Sequence, residues 1–471
     1  MSKFERSYLC VHGHFSQPPR GNPLNNTIGV EPEADPYPNW NERITAQSYR
    51  PNAERGNFDH ISFSFAEGLI KWLQPNAPDV YQALVKADQQ TAAAHAPAGN
   101  ALATAYNHII LPLARKRDKR TQIWWGISAF EERYGRKPLG FWLPEMAVDI
   151  ETLRLLAEAG VQYTVLAEKQ ILDLPPGGGA GPYRVQLSET ESIAIFVRHD
   201  RLSAEISFKI HTLGGAGRWC DQVLGPARKH VGPLLLLATA GETFGHHFAG
   251  EEEFLYWLVR YEAARAGYRV VTLDQYFVEH PPKQTVQIKE RSSWGDYDGL
   301  SQWLTGYADQ HQDTTWKGAL RRALDNAASE VDRVYEELVR QYSADPWTLR
   351  NQYAPVILGA VSAEDFITER IPQISPEHRK QLDQLFFAQR LTQRMYNSYT
   401  FTDNRLEGRQ PRYAIACAAA ALTLAQKATG QDLNDRFPLD MAVVRSSTST
   451  TDGTAILNSV IEEFSLDLLE N

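Results

Sequence analysis

Gly140-Phe141-Trp142-Leu143-Pro144-Glu145-Met146 is the stretch on which the fold turns. Phe141-Trp142-Leu143 is too short and too apolar for a surface loop. Asp149 then reads as the N-cap of a helix that carries Leu153, Leu156 and Ala157 on one face and stops at Gly160. A buried strand therefore runs out just where a helix is about to begin, and Glu145 stands at the junction. In barrels built from strand-helix units, such C-terminal strand ends present the reactive groups beneath loops that close over a ligand. A rim carboxylate engaged only in a salt bridge is the competing reading of this residue taken alone.

Two other segments end in the same way. Tyr8-Leu9-Cys10-Val11 reads as a strand that stops at His12-Gly13-His14-Phe15-Ser16-Gln17-Pro18, and Leu234-Leu235-Leu236-Leu237-Ala238-Thr239 as a fully buried strand that stops at Ala240-Gly241-Glu242-Thr243-Phe244-Gly245-His246-His247. Helices alternate with further strands, Val161 to Leu166, Ile193 to Val197 and Tyr268 to Leu273, which predicts an α/β fold with a parallel sheet. Arg198 and Asp200 follow the second of these, as substrate ligands or as a structural ion pair.

These motifs resemble glycoside hydrolase family 57 over roughly the first 300 residues. His12 to Pro18 is similar to an expanded form of the family's first His-Gln-Pro motif, and Tyr106-Asn107-His108-Ile109-Ile110-Leu111-Pro112-Leu113 to the second. Trp142-Leu143-Pro144-Glu145 is similar to the Trp-x-x-Glu motif and Ser293-Trp294-Gly295 to the late Ser-Trp-Gly motif. The resemblance implies an incomplete (β/α)7 barrel, a retaining mechanism on α-glucans and Glu145 as nucleophile. It points to the subgroup with a C-terminal helical domain of unassigned function, and implies hydrolysis or transglycosylation of the 4-α-glucanotransferase kind.

One position departs from that pattern. Where the family's fourth motif carries the Asp that serves as acid/base, this chain has Ala240, an engineered or natural loss. A retaining site places two carboxylates about 5 to 5.5 Å apart, one attacking and one protonating the leaving oxygen. Glu145 would have to be ionised at neutral pH, held so by hydrogen bonds or a cation. A methyl group donates no proton, and Glu242, two residues on, lies about 6 to 7 Å further along an extended chain. A catalytically silent carbohydrate-binding protein is therefore the alternative.

Substrate contacts are expected from His12, His14, Gln17, Trp40, His108, Trp142, Arg198, Asp200, Glu242, His246, Trp294 and Trp303. Flat rings offer a sugar a large contact area at small entropic cost. Trp124 and Trp125 also lie near motifs, whereas Trp72 and Trp257, set among leucines at helical spacing, read as core. The histidine pairs admit a rival, a metal site of the kind polysaccharide deacetylases use. No Asp-x-His or His-x-x-x-His signature accompanies them, and neither metal nor cofactor is expected.

Composition narrows the class. The 471 residues carry a net charge of −9 without basic clusters, which disfavours nucleic acid and suits a neutral polymer. Three cysteines do not make a disulfide framework, no run of about 18 apolar residues suggests a membrane span, and Met1 to Arg6 is polar; a cytoplasmic location is the expectation. Gly177 to Gly181 reads as a rim loop without phosphate-cradle flanks. Beyond Pro281-Pro282, the spacing of Leu320, Leu324, Val331, Tyr335 and Leu338, repeated over 377–397 and 411–429, predicts helices. The expected division is a barrel over 1–285 and a helical domain over 286–471, the latter offering Asp296, Trp303 and Tyr396 to Phe401 to the cleft.

Overall fold

The computed structural model describes residues 7–175, 178–295, 299–309, 311–342 and 345–466. Asp296 and Gly177 lie outside them. The chain divides into two compact units, 1–17 with 29–106 and 129–296, and 18–28 with 107–128 and 297–471.

The first unit contains nine strands among the described residues: β1 (Ser7–Phe15), β2 (Ser62–Phe65), β3 (Ala103–Thr104), β4 (Gly140–Trp142), β5 (Tyr163–Ala167), β6 (Tyr183–Gln186), β7 (Ser192–Arg198), β8 (Leu234–Ala240) and β9 (Tyr268–Val270). β1 lies between β2 and β8, parallel to both, with β9 beside its first residues; β3, β4, β5 and β7 form a second parallel run with β6 antiparallel at its edge. The two sheets meet at both edges. Phe63 bridges Ala101, and the His199 N–H donates to the Leu236 carbonyl at 2.9 Å. The ring β8-β1-β2-β3-β4-β5-β7 is the incomplete (β/α)7 barrel that the motifs imply. Strands buried on both faces need no polar alternation, which is why Leu234 to Ala238 is apolar throughout.

Local chemistry places the helices. Asp149 caps the helix Ile150–Glu158 by accepting from Thr152 N, and Gly160 turns the chain with φ 84°. Some boundaries differ from expectation. β1 runs on through His12 and His14 to Phe15, because β2 and β8 pair with those residues on either side. Leu273 is helical, since Thr272 and Gln275 form a reciprocal cap that starts the helix Leu273–Glu279.

The division between units also differs from a cut at 285. Residues 285–292 stay with the barrel through bridges of Thr285 to Arg184, Ile288 to Ile171 and Ser292 to Val148. Residues 18–28 and 107–128 belong with the helices. Arg394 and Gln410 donate to the carbonyls of Pro23 and Pro19, and Trp125 Nε1 donates to the Arg350 carbonyl at 3.0 Å. The second unit is built on the helices Trp316–Arg340, Pro376–Arg394 and Arg409–Thr429, the last burying an alanine-rich run from Ala414 to Ala421. No described helix is long and apolar enough to cross a membrane.

Candidate active site

The end of β4 is bent into an uncommon turn. Glu145 has φ 57° and ψ 18°, and Met146 has φ 48°, a left-handed pair that costs about 1 to 3 kcal/mol per residue unless its surroundings enforce it. They do. Met146 N donates to the Leu143 carbonyl at 2.8 Å, Gln170 Nε2 donates to the Met146 carbonyl at 2.8 Å, and Trp294 N donates to the Glu145 carbonyl at 3.2 Å. Trp294 also donates from its indole Nε1 to Glu145 Oε2 at 2.9 Å.

Burial raises the Glu145 carboxyl above the ordinary range, and the Trp294 N–H opposes that shift. Among the described residues no cation pairs with Glu145. Of the two supports expected, hydrogen bonds or a cation, the one present is a neutral donor; Arg198 lies over the Trp294 ring at 5.0 Å and pairs with Asp200 at 2.9 Å. Arg198 also donates from Nη1 to the Ala238 carbonyl at 3.3 Å. The structural ion pair, one of two readings of Arg198 and Asp200, is the one observed.

Trp142 joins the strand ends. Its ring stacks on His12 at 4.6 Å and on His14 at 5.1 Å, and meets Trp294 edge-on at 5.8 Å. Both imidazoles bond to Ser64 Oγ, at 3.1 Å from His12 and 2.8 Å from His14. One hydroxyl proton serves only one of them, so Ser64 accepts from at least one ring. His14 is registered opposite Ala240 and His12 opposite Ala238. The ends of β1, β4, β7 and β8 are thus linked through named contacts.

His12 and Trp142 have no exposed surface, so they are core positions and do not present a face to a sugar as expected. Burial lowers the His12 pKa to about 3, leaving the ring neutral at pH 7. Among the described residues, no group of three or more His, Cys, Asp and Glu side chains is placed to hold a metal ion.

A second carboxylate, Glu242, follows Ala240 by two residues. Its Oε1 accepts from Tyr49 OH at 2.7 Å, Ser16 N at 3.0 Å and Gln17 Nε2 at 3.3 Å, while burial pushes its pKa up to about 7. Gly241 between them is required by close approach, since a Cβ there would lie 2.3 Å from the Phe15 ring. His246 bonds through Nδ1 to Gln47 at 2.7 Å and meets the partly buried Trp40 edge-on at 6.0 Å.

His108 and Trp303 belong to the second unit. His108, at φ 55°, bonds Ser398 at 2.8 Å and stacks on Tyr399. Trp303 is buried and donates to Thr402 Oγ1, so its expected rim position is a core position. Trp125 is likewise core, whereas Trp257, expected in the core, is exposed. Tyr49, Ser64 and Gln47 were not legible as site residues. The one available signal was the Ser-Phe alternation of Ser62 to Phe65, which marks a strand and places Ser64 on the face shared with His12 and His14.

Solved structures share this fold. An exo-type maltose-forming amylase from Pyrococcus sp. ST04 aligns with TM-score 0.74 at 15% identity, covering 92% of this chain and 82% of that one. A GH57-type branching enzyme from Pyrococcus horikoshii aligns with TM-score 0.59 at 16% identity, covering 98% and 95%. Over 129 residues, 26% of this chain, the sequence is 27% identical to alpha-amylase 1 of Dictyoglomus thermophilum, spanning 18% of that protein. Residues 311–470 match a domain of unknown function, DUF3536. The model of glycosyl hydrolase family 57 matches residues 32–289, more than half of the chain and the segment that contains the ends of β4, β7 and β8; this chain belongs to that family.

Proposed function

We propose that the chain is a retaining α-glycoside hydrolase or transglycosylase of α-glucan oligosaccharides or polysaccharides, with Glu145 as nucleophile and Ala240 at the acid/base position. The observation that carries this reading is the enforced left-handed turn that sets Glu145 at the end of β4 under the Trp294 N–H. Strain held in place by two separate segments, at Gln170 and at Trp294, is what a positioned nucleophile requires. The relatives named above as amylases and a branching enzyme supply the substrate class.

Glu145 would attack the anomeric carbon, and the leaving oxygen would depart without enzymatic protonation. General acid catalysis contributes about 10² to 10⁴ in rate, so natural glycosides should react poorly and an α-glucosyl fluoride, whose leaving group needs no proton, should react better. Azide should enter beside the Ala240 methyl and trap the glycosyl-enzyme with retained configuration. Glu242 is unsuited to replace the acid, since Tyr49, Ser16 and Gln17 hold its carboxyl in place two residues beyond Ala240.

The test is Ala240→Asp, assayed on a panel of α-glucans. It should raise hydrolysis about 10²-fold or more, and adding Glu145→Gln should abolish the gain. An Ala240→Asp variant that binds but cleaves none of the panel would establish the silent carbohydrate-binding alternative, which the Ala240 methyl favours. An inverted azide product would remove Glu145 as nucleophile.

A further inference from the structure

The helical run of the barrel unit from Glu252 to Arg265 returns from β8 to β9. Its inner face is complete: Phe254, Leu255, Leu258, Val259 and Ala263 are all buried. Two large rings are left outside. Trp257 is 45% exposed and Tyr261, one turn on, 51%. Their centroids are 5.2 Å apart with planes at 43°, and Trp257 stands edge-on to Tyr256 at 5.6 Å.

The cluster is braced from behind. Arg260 lies 5.1 Å and Arg55 6.0 Å from the Tyr256 ring, and Arg260 Nη2 donates to the Arg55 and Gly56 carbonyls at 3.0 and 3.2 Å. Nothing in the packing of the helix requires an indole at 257. Exposing one costs solubility without stabilising the core.

We propose that Trp257 and Tyr261, braced by Tyr256, form a stacking platform on the outside of the barrel for an α-glucan chain. Aromatic side chains each carry roughly 150 to 250 Å², so two half-exposed rings offer on the order of 200 Å², against about 800 Å² per partner in a stable protein interface. That area suits two or three pyranose rings and is too small for a second protein. Glu253, exposed one turn before Trp257, provides a polar partner for hydroxyls at the rim. The choice of ligand rests on the α-glucan reading of the strand-end pocket.

Affinity electrophoresis in native gels containing glycogen or soluble starch tests this, run beside consumption of α-maltosyl fluoride. The full chain should be retarded by the polymers. The Trp257→Ala/Tyr261→Ala variant should lose that retardation, its apparent Kd raised roughly tenfold, while consuming the fluoride at the wild-type rate. Trp257→Phe, which keeps a ring, should lie between and decides the matter if the double variant unfolds. Equal retardation of wild type and variant overturns the platform, as does absence of wild-type retardation. If fluoride is still consumed in the latter case, the activity reading stands. Ring-dependent retardation without fluoride consumption supports the platform and counts against the activity. A wild-type dimer dissociated by the double variant would make the patch a protein interface and overturn the proposal.

Discussion

The two ends of the barrel treat buried carboxylates differently: among the described residues, a cation holds those at one end and neutral donors alone hold those at the other. Where β2 and β5 begin, Asp274 accepts from Tyr163 OH at 2.5 Å and Gly99 N at 3.0 Å, with Arg136 at 3.3 Å. Asp88 accepts from Asn100 N and Ala101 N and pairs with Arg136 at 2.7 Å. Where the strands end, Glu145 has one neutral donor, and His12 Nδ1, Trp142 Nε1 and Ser293 Oγ are buried without a partner among the described residues. The first end is organised for stability. The second leaves its two carboxylates without a cation.

Breaking the stable end should give the largest effect. Arg136→Ala strips the cation from two fully buried carboxylates and should cost about 3 to 5 kcal/mol, read from denaturant unfolding. A loss under 1 kcal/mol would erase the contrast. Glu145→Gln, by comparison, removes a desolvated charge with no cation and should stabilise by about 0.5 to 2 kcal/mol while abolishing any glycosyl transfer; a destabilised variant would mean that the site carries structure rather than stored cost.

The pH dependence sharpens the contrast further. Glu242 has a folded pKa of about 7 against an ordinary 4.5, so the native state holds its proton more tightly than the unfolded chain. Its contribution is fully present below about pH 4.5 and is lost as pH rises through 7. Relative to Glu242→Gln, the wild type should therefore lose Tm across that window, measured by calorimetry at several pH values; a parallel pair of curves would refute the shift. The smallest effect is expected from EDTA, which should leave Tm and glucan binding unchanged. One tightly held metal per chain by elemental analysis would revive the deacetylase reading of the histidines.

Much of this was legible in residues close in sequence. Asp149 caps its helix, Gly160 ends it and Leu234 to Ala240 is a strand because these are short-range rules of hydrogen bonding and backbone sterics. Glu145 was legible as a strand-end carboxylate for the same reason. Its environment was not. The Trp294 donor is 149 residues away, Ser64 joins two histidines from another strand, and Tyr49 reaches Glu242 from a helical segment without a strand-end signature. Trp257 and Trp303 exchanged expected places because helical spacing identifies a face and does not say which neighbour covers it.

The turn at Glu145 has a consequence for the order in which the molecule is made. Its left-handed conformation is enforced by Ser292 pairing with Val148 and by Trp294 bonding to both the backbone and the side chain of Glu145. A nascent chain that has emerged only as far as β9 already contains the carboxylate, most of the barrel and the Gln170 bond to the turn, but not the segment that bonds to Glu145 itself. The geometry of the Glu145 carboxylate is completed after the strands, by the last stretch of the first unit to leave the ribosome. Newly synthesised protein would thus pass through a stage with a formed barrel and an unaimed carboxylate until residue 294 arrives.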